Sequence, residues 1–318
     1  MPPRLASHGE QAPSPTPGLR TDTEILVGIP SRDRVEQLSE CLESLRRHVG
    51  DRVDILVVDN GDSPMPIGDF PGMRVSVLNV APGLTAARNT ILDRFAAGTY
   101  SDLIFLDDDQ TVREGWLEGL VSHRDRHPGS VVAGMVDYTS TPTSDPALRE
   151  LLQQWSQGRP EGELPTVGAG NTLVPRSAME DAGWPRFDAS FDMGGEDTAL
   201  FAELRAHGTT FWCTAEATVD ELFSTARMTR RWFIQREVVN GHAIGTLELR
   251  TVAPHQIIPW MVSATARCLA GLGLGLGTAC LRRRLWPQDF NVLWGGVGRL
   301  QALMALRRQP RSSTLQSF

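Results

Sequence analysis

The sequence predicts an α/β fold in which a parallel sheet is covered by helices on both faces. Short runs of β-branched and aliphatic residues recur along the chain, and segments with one apolar helical face separate them. The composition, 41% hydrophobic and 22% charged over 318 residues, is that of a soluble globular protein. Alternation of this kind builds a parallel sheet, whose ligands bind at the carboxyl ends of the strands.

The predicted elements begin at Glu24. The first strand covers residues 25–29, and the segment after it has apolar residues at the spacing of one helix face. Asp33 and Glu36 are placed as a capping pair at the start of that helix. The further predicted elements are strands at 55–58, 74–78 and 103–106 and a helix at 85–96.

Several function classes are excluded by composition and spacing. All 31 basic residues are arginine, so a Walker A lysine and a Schiff-base lysine are absent. The four cysteines form no CxxC pair, which excludes a zinc ribbon and a thioredoxin motif and favours a reducing, cytoplasmic location. No GxGxxG follows the first strand, so a dinucleotide-binding Rossmann fold is disfavoured.

The two ends of the chain differ from its middle. Residues 1–22 hold five prolines and no apolar signal region, so we expect a disordered tail. A catalytic domain is expected over 23–245, and an apolar, arginine-rich helical extension over 246–318. Residues 251–318 carry eight arginines and one acid, so the rest of the chain is acidic, which argues against nucleic acid as its partner.

The extension has the composition of a segment that lies on a membrane surface. Residues 257–281 are largely apolar, but Arg267 interrupts them, and the remaining 14 residues are fewer than a spanning helix needs. Tryptophans and arginines at its margin favour an anionic membrane surface as a partner, on the inner face of the cell membrane. The alternative is a helix pair packed on the catalytic domain. The marginal residues are Trp260, Trp286, Trp294, Arg282, Arg283 and Arg284.

Three consecutive aspartates follow the predicted strand at 103–106. Asp107, Asp108 and Asp109 repel one another unless a cation or proton neutralises them. Hard oxygen ligands of this type suit Mg²⁺ or Mn²⁺ shared with substrate phosphates. A solvated acidic turn that caps the next helix is the alternative interpretation.

A second acidic pair, Glu196 and Asp197, follows Gly194 and Gly195 at the start of a predicted helix. A carboxylate at a helix start, placed by flexible glycines, can act as a general base, and the helix dipole favours its ionised form. The alternative is an ordinary N-cap.

Taken together, these motifs resemble those of glycosyltransferase family 2, the nucleotide-sugar-dependent enzymes of GT-A fold. The resemblance covers about residues 23 to 245. The motifs that carry it are Ile29-Pro30-Ser31, Val57-Val58-Asp59-Asn60-Gly61, Gly83-Leu84-Thr85-Ala86-Ala87-Arg88-Asn89, Phe105-Leu106-Asp107-Asp108-Asp109, Gly168 to Ser177, Gly194-Gly195-Glu196-Asp197 and Thr229-Arg230-Arg231-Trp232.

The resemblance implies roles for individual residues. Asp59 and Asn60 would contact the nucleotide base and ribose, and Arg88 would lie near the phosphates or the base. Asp107 and Asp109 would form a metal-binding DxD. The catalytic base would be Asp197 or, as the second choice, Glu196. The other implied donor-binding residues are Pro30, Arg32, Asp108, Gly170, Asn171, Arg230 and Arg231.

Two of these assignments carry a reservation. Arg32 stands where the family often has an aromatic residue, so recognition of the donor base departs from the family pattern there. Arg230 and Arg231 would clamp phosphate oxygens, since guanidinium is a bidentate donor. A solvated helix face is the alternative for these two.

The implied function is that of a metal-dependent, inverting glycosyltransferase using Mg²⁺ or Mn²⁺. It would move a sugar from a nucleotide-diphosphate sugar to the hydroxyl of a carbohydrate, lipid-linked or small-molecule acceptor. Two alternatives stay open at this point. One is a nucleotidyltransferase, which also uses an acidic metal site, and the other is a non-catalytic module that binds sugar nucleotides.

Overall fold

The computed structural model describes residues 24–66, 68–157, 160–191, 194–221, 229–282 and 287–306. The expected tail over 1–22 and the marginal residues Arg283, Arg284 and Trp286 lie outside these ranges.

Nine strands in the described ranges form one mixed sheet, in the order β3-β2-β1-β4-β8-β6-β9-β5, with β7 also paired to β9. The parallel arrangement predicted from the sequence holds for β3, β2, β1 and β4. The strands are β1 (Ile25–Ser31), β2 (Asp54–Asp59), β3 (Arg74–Asn79), β4 (Asp102–Phe105), β5 (Gln110–Val112), β6 (Val131–Asp137), β7 (Gly162–Leu164), β8 (Thr172–Pro175) and β9 (Phe211–Glu221).

Beyond β4 the sheet is mixed, and several of its strands run antiparallel to their neighbours. Strand β8 runs antiparallel to both β4 and β6, and β5 and β7 run antiparallel to β9. The chain enters β8 from Gly170, which lies against Asp107 at the carboxyl end of β4. A strand that starts at this edge must run in the opposite direction to β4.

Helices cover both faces of the sheet, as predicted. One face packs apolar residues of α2 and α6, and the other packs those of α1 and α3. Continuous apolar runs suit β1 and β2 because both sheet faces are covered and nearly every side chain of these strands is buried. The helices are α1 (Val35–His48), α2 (Leu84–Ala97), α3 (Trp116–Arg126), α4 (Pro146–Gln157), α5 (Arg176–Asp181), α6 (Glu196–Ala206), α7 (Arg230–Thr251), α8 (Ile257–Arg282) and α9 (Asn291–Leu306).

The predicted capping pair of α1 is wrong. The helix begins at Val35 after Arg34, and no side chain caps it. Asp33 has a positive φ of 55° and lies beside Arg32 at 3.6 Å, so it belongs to the turn before the helix. The turn places Arg34 toward the end of β4, where it contacts the acidic triplet.

Helices α8 and α9 lie within the extension expected over 246–318, and α7 leads into it. Helix α7 continues through residue 245, where we expect the catalytic domain to end. Helix α9 lies between α7 and α8, and close glycine contacts bring it near both: Gly241 lies against Gly295, and Gly271 against Leu293.

Helix α8 is continuous through Arg267, although this residue interrupts the apolar run in the sequence. The stretch Pro254–Leu281, which contains most of α8, is long and apolar enough to cross a membrane, and 11% of its most apolar window is buried. Small residues of α8 face α9: Gly271 lies against Leu293, and the carbonyl of Ala264 lies near Gly296. The large apolar side chains point elsewhere, and Leu269 is 68% exposed.

Candidate functional site

A cavity of about 390 Å³ opens at the carboxyl ends of β1, β2 and β4. Parallel strands present their carboxyl ends at one edge, so the loops after these strands meet there. The structure brings seven of the predicted site residues to its wall. They are Pro30, Arg32, Asn60, Arg88, Asp107, Asp108 and Asp109.

The three aspartates after β4 have different environments. Side-chain exposure is 35% for Asp107, 6% for Asp108 and 14% for Asp109. Asp108 accepts hydrogen bonds from Ser31 Oγ at 2.7 Å and from Arg34 Nη1 at 2.9 Å. Burial raises the pKa of Asp108 above its ordinary value, against the opposing effect of these two partners. Asp108 therefore faces protein groups, and Asp107 is the most open to the cavity.

Arg88 connects the triplet to the start of α6. Its guanidinium is buried on α2, with Nη1 at 2.5 Å from Glu196 Oε1 and Nη2 at 3.5 Å from Asp107 Oδ1. The Phe187 ring lies 5.6 Å away, measured to its centroid. Arg88 is thus an internal bridge between two acidic motifs that are far apart in sequence.

Glu196 and Asp197 are neighbours in sequence, but they face different surroundings. Glu196 is buried and paired with Arg88. Asp197 is half-buried and accepts from the backbone N–H of Thr198 at 2.7 Å and of Ala169 at 3.4 Å. Both lie in the first turn of α6, where the helix dipole favours a carboxylate.

Asp197 lines a second cavity of about 610 Å³. Helix α7 forms one wall with polar and apolar side chains. These wall residues are Arg236, Asn240, Ile244, Leu247 and Glu248. The opposite wall includes Thr166, Val167 and Gly168, so the cavity lies between the segment before β8 and helix α7.

The segment 168–170 lies between the two cavities. A Cβ on Gly170 would collide with the Asp107 carboxylate, and one on Gly168 would lie 3.2 Å from Asp197 Oδ2. Glycine at these positions allows the backbone to approach both carboxylates. The residues that the two acidic motifs contribute are therefore separated by one thin backbone segment.

Asp59 is buried beneath the loop after β2. Its carboxylate accepts hydrogen bonds from Gly61 N at 3.0 Å, Met65 N at 2.8 Å and Asn79 Nδ2 at 2.7 Å. These bonds fix the loop that places Asn60 at the cavity wall.

Asn171, predicted to bind the donor, lies away from the cavity wall. Its side chain is fully buried; Nδ2 donates to the carbonyls of Met135 and Ala217, and Oδ1 accepts from Trp116 Nε1 at 2.7 Å. All of these partners are protein groups, so the amide ties strands to α3.

Arg230 and Arg231 also lie away from the described walls of both cavities. They are exposed in the first turn of α7. Arg236, one turn further on, lines the second cavity and lies 4.2 Å from the centroid of the Trp155 ring.

Several residues of the site were missed by sequence reasoning. Arg34 contacts Asp108 and Asp109. Gln110 is buried and accepts from Asp107 N at 3.2 Å, while its Nε2 donates to Glu221 Oε2 at 3.2 Å. Because ligands bind at the carboxyl ends of parallel strands, the loop after β1 was expected near the site. No local pattern in the sequence shows which side chain of that loop reaches the loop after β4.

The donor set of the first cavity fits a divalent ion that is shared with a substrate. Within the described residues, no group of three or more His, Cys, Asp or Glu side chains could hold a metal. Mg²⁺ is usually bound by one or two carboxylates together with substrate phosphates and water. Asp107 and Asp109 supply two carboxylates at the wall of one cavity, which matches that mode of binding.

Comparisons with known proteins identify the family of the chain. The family model described as Glycosyl transferase family 2 matches residues 26–181. The succinoglycan biosynthesis protein ExoM of Rhizobium meliloti (strain 1021) is 31% identical over 230 residues, covering 67% of this chain and 72% of that protein. The pre-mycofactocin glycosyltransferase of Mycobacterium tuberculosis is 31% identical over 269 residues, covering 80% of this chain. The alignment spans 54% of the length of this second relative.

Solved structures share the fold at low sequence identity. The mannosyltransferase PcManGT from Pyrobaculum calidifontis, in complex with GDP-Man and Mn²⁺, superposes with a TM-score of 0.57 at 15% identity, over 92% of this chain and 91% of that one. GalNAc-T7 with UDP, GalNAc and Mn²⁺ has a TM-score of 0.51 at 13% identity, over 73% and 52%. The fold is the α/β GT-A fold, here with C-terminal helices. With the family match and the coverage of ExoM, the chain belongs to glycosyltransferase family 2 and is a glycosyltransferase.

Proposed function

We propose that this glycosyltransferase is metal-dependent and inverting, and that it uses a nucleotide-diphosphate sugar as donor. The observation that carries the proposal is that the acidic residues line two cavities on either side of the backbone segment 168–170. The aspartate triplet lines one cavity, and Asp197 lines the other. Two structures of the same fold contain GDP-Man or UDP together with Mn²⁺, which supports a donor of this class.

The donor diphosphate would lie beside Asp107 and Asp109 in the first cavity. Asp107 and Asp109 would hold Mg²⁺ or Mn²⁺ there, and the ion would neutralise charge on the departing diphosphate. Pro30, Arg32 and Asn60 line the same cavity and would contact the nucleoside. Asp59 acts on this contact by fixing the loop of Asn60 rather than by touching the donor.

The acceptor hydroxyl would enter from the second cavity. As its oxygen attacks the anomeric carbon, Asp197 takes the hydroxyl proton, the new C–O bond forms and the bond to the diphosphate breaks. A single displacement of this kind inverts the anomeric configuration. Glu196 is unsuited to the same task because Arg88 holds it in a buried ion pair.

The test is Asp197→Asn compared with the wild type. Loss of a general base should lower the transfer rate by about 10²- to 10⁴-fold while donor binding stays unchanged. Asp181→Asn, at an exposed carboxylate at the end of α5, is the matched control and should transfer at the wild-type rate. An unchanged rate in Asp197→Asn would remove Asp197 from this role.

NMR of the product should show the anomeric configuration opposite to that of the donor.

We also propose that the extension binds an anionic membrane surface on the cytoplasmic side. Apolar side chains of α8 are strongly exposed, with Ile258 at 73%, Leu269 at 68% and Leu281 at 88%. A contiguous exposed apolar surface of this kind marks an interaction site. Residues 251–318 carry eight arginines against one acid, which complements anionic lipid headgroups.

The second cavity shares α7 with this extension, so a carbohydrate, small-molecule or lipid-linked acceptor can reach Asp197 from that side.

A further inference from the structure

Arg34 contacts the aspartate triplet, and the proposed reaction gives it no task. It immediately precedes α1, and its Nη1 lies 2.9 Å from Asp108 Oδ1 and 3.0 Å from Asp109 Oδ2. Ser31 holds the other oxygen of Asp108 at 2.7 Å. Asp108 therefore keeps a hydrogen-bond partner without Arg34.

The position of Arg34 is that of a counter-ion. Three adjacent aspartates repel one another, and a nearby positive charge relieves this repulsion. Arg34 supplies such a charge from the loop after β1. Its side chain is 36% exposed and lines the first cavity, so the guanidinium can move into the cavity without any change in the strands.

We propose that Arg34 is a positioning residue that competes with the divalent ion for Asp109. The inference rests on the proposed function, since it concerns the ion of the donor site. Binding of the ion to Asp109 requires the guanidinium to leave that carboxylate. The donor diphosphate, in the same cavity, offers the displaced guanidinium a bidentate partner. Ion and nucleotide should therefore each raise the affinity of the protein for the other. The ion displaces the guanidinium from Asp109, and the diphosphate gives the displaced guanidinium a new partner.

The experiment measures Mn²⁺ affinity from the electron paramagnetic resonance signal of the free ion, with and without UDP or GDP. Arg34→Gln should bind Mn²⁺ alone about tenfold more tightly than the wild type, since a unit positive charge next to the ligands has been removed. The gain in Mn²⁺ affinity that the nucleotide produces should become smaller in this variant.

Arg32→Gln is the matched control. It removes the same charge from the same cavity, but within the described residues Arg32 forms its ion pairs with Asp33 and Asp62, both at 3.6 Å, and not with the triplet. Its affinity for Mn²⁺ alone should stay within about twofold of the wild type, because an exposed charge is screened by solvent.

The outcomes separate the inference from the proposed function. The competition is overturned if Arg34→Gln binds Mn²⁺ no more tightly than Arg32→Gln does. If Arg34→Gln binds Mn²⁺ more weakly, Arg34 orients Asp109 for the ion instead. Should Arg34→Gln fail to fold, Arg34→Met replaces it. Methionine removes the same charge and keeps an aliphatic side chain, so Mn²⁺ should again bind about tenfold more tightly than in the wild type, and unchanged affinity would overturn the inference. A wild type that binds no Mn²⁺ even with UDP and GDP overturns the proposed metal dependence itself.

Discussion

The carboxyl edge of the sheet and helix α8 depart from the usual distribution of residues in opposite directions. At the sheet edge the charged side chains of Arg88, Asp108 and Glu196 are buried, whereas on α8 the apolar side chains of Ile258 and Leu269 are exposed. Both arrangements cost free energy in the isolated chain. Ion pairs within the protein offset the cost of the buried charges, whereas the proposed contact with a membrane would offset the cost of the exposed apolar surface.

The largest effect on stability should come from breaking the buried ion pair at the sheet edge. Arg88→Met leaves Glu196 buried without its partner, and we expect a loss of about 3 to 5 kcal/mol in the free energy of unfolding. Chemical denaturation measures it. Arg46→Met removes an exposed pair with Glu43 and should leave the free energy of unfolding nearly unchanged, because solvent screens that pair. Equal losses in the two variants would show that burial of the Arg88 pair has no energetic consequence.

The exposed surface of α8 should respond to mutation in the opposite way. Val262→Ser removes an apolar side chain that is 63% exposed, so the free energy of unfolding should change by less than about 0.5 kcal/mol. Its binding to anionic phospholipid vesicles, measured by sedimentation, should weaken about fivefold, because that side chain no longer enters the lipid. Val77→Ser, on β3, is the control and should bind vesicles as the wild type does. The membrane proposal fails if the wild type itself stays in solution with anionic vesicles.

A smaller effect is expected from Asp137, at the end of β6. Although desolvation opposes the shift, hydrogen bonds from Thr139 and the charge of Arg113 lower the pKa of Asp137 to about 2. A lowered folded-state pKa contributes stability above the unfolded value near 3.8, and this stability is lost as the pH falls toward 2. Asp137→Asn should lose about 1 to 2 kcal/mol at pH 6 and show a flatter stability profile between pH 4 and 2. An acid profile identical to that of the wild type would contradict the shift.

Much of the sheet could be predicted because its strands are locally distinct. The runs at β1, β2 and β4 are apolar and β-branched, and the helix between β3 and β4 has a clear apolar face. The antiparallel half was not predicted, because the direction of β8 depends on where the preceding chain lies and not on the residues of the strand. Helix α8 was divided at Arg267, because one charge breaks an apolar run without breaking a helix.

The site was predictable where residues lie directly after strands. Asp107, Asp109 and Asn60 are such residues, and they meet at one cavity. Arg34 and the internal use of Asn171 depend on contacts between segments about 50 to 75 residues apart, which periodicity cannot reveal.

The central claim is that the sheet edge binds a nucleotide diphosphate with a divalent ion. The most direct measurement is thermal unfolding of the wild type and of Asp109→Asn with nucleoside diphosphates and their sugars, with and without Mn²⁺, since a ligand of the native state raises the melting temperature. The account predicts a rise in the wild type that needs both nucleotide and Mn²⁺, and its loss in Asp109→Asn. No rise with any nucleotide in folded wild-type protein, or the same rise in both proteins, would contradict it.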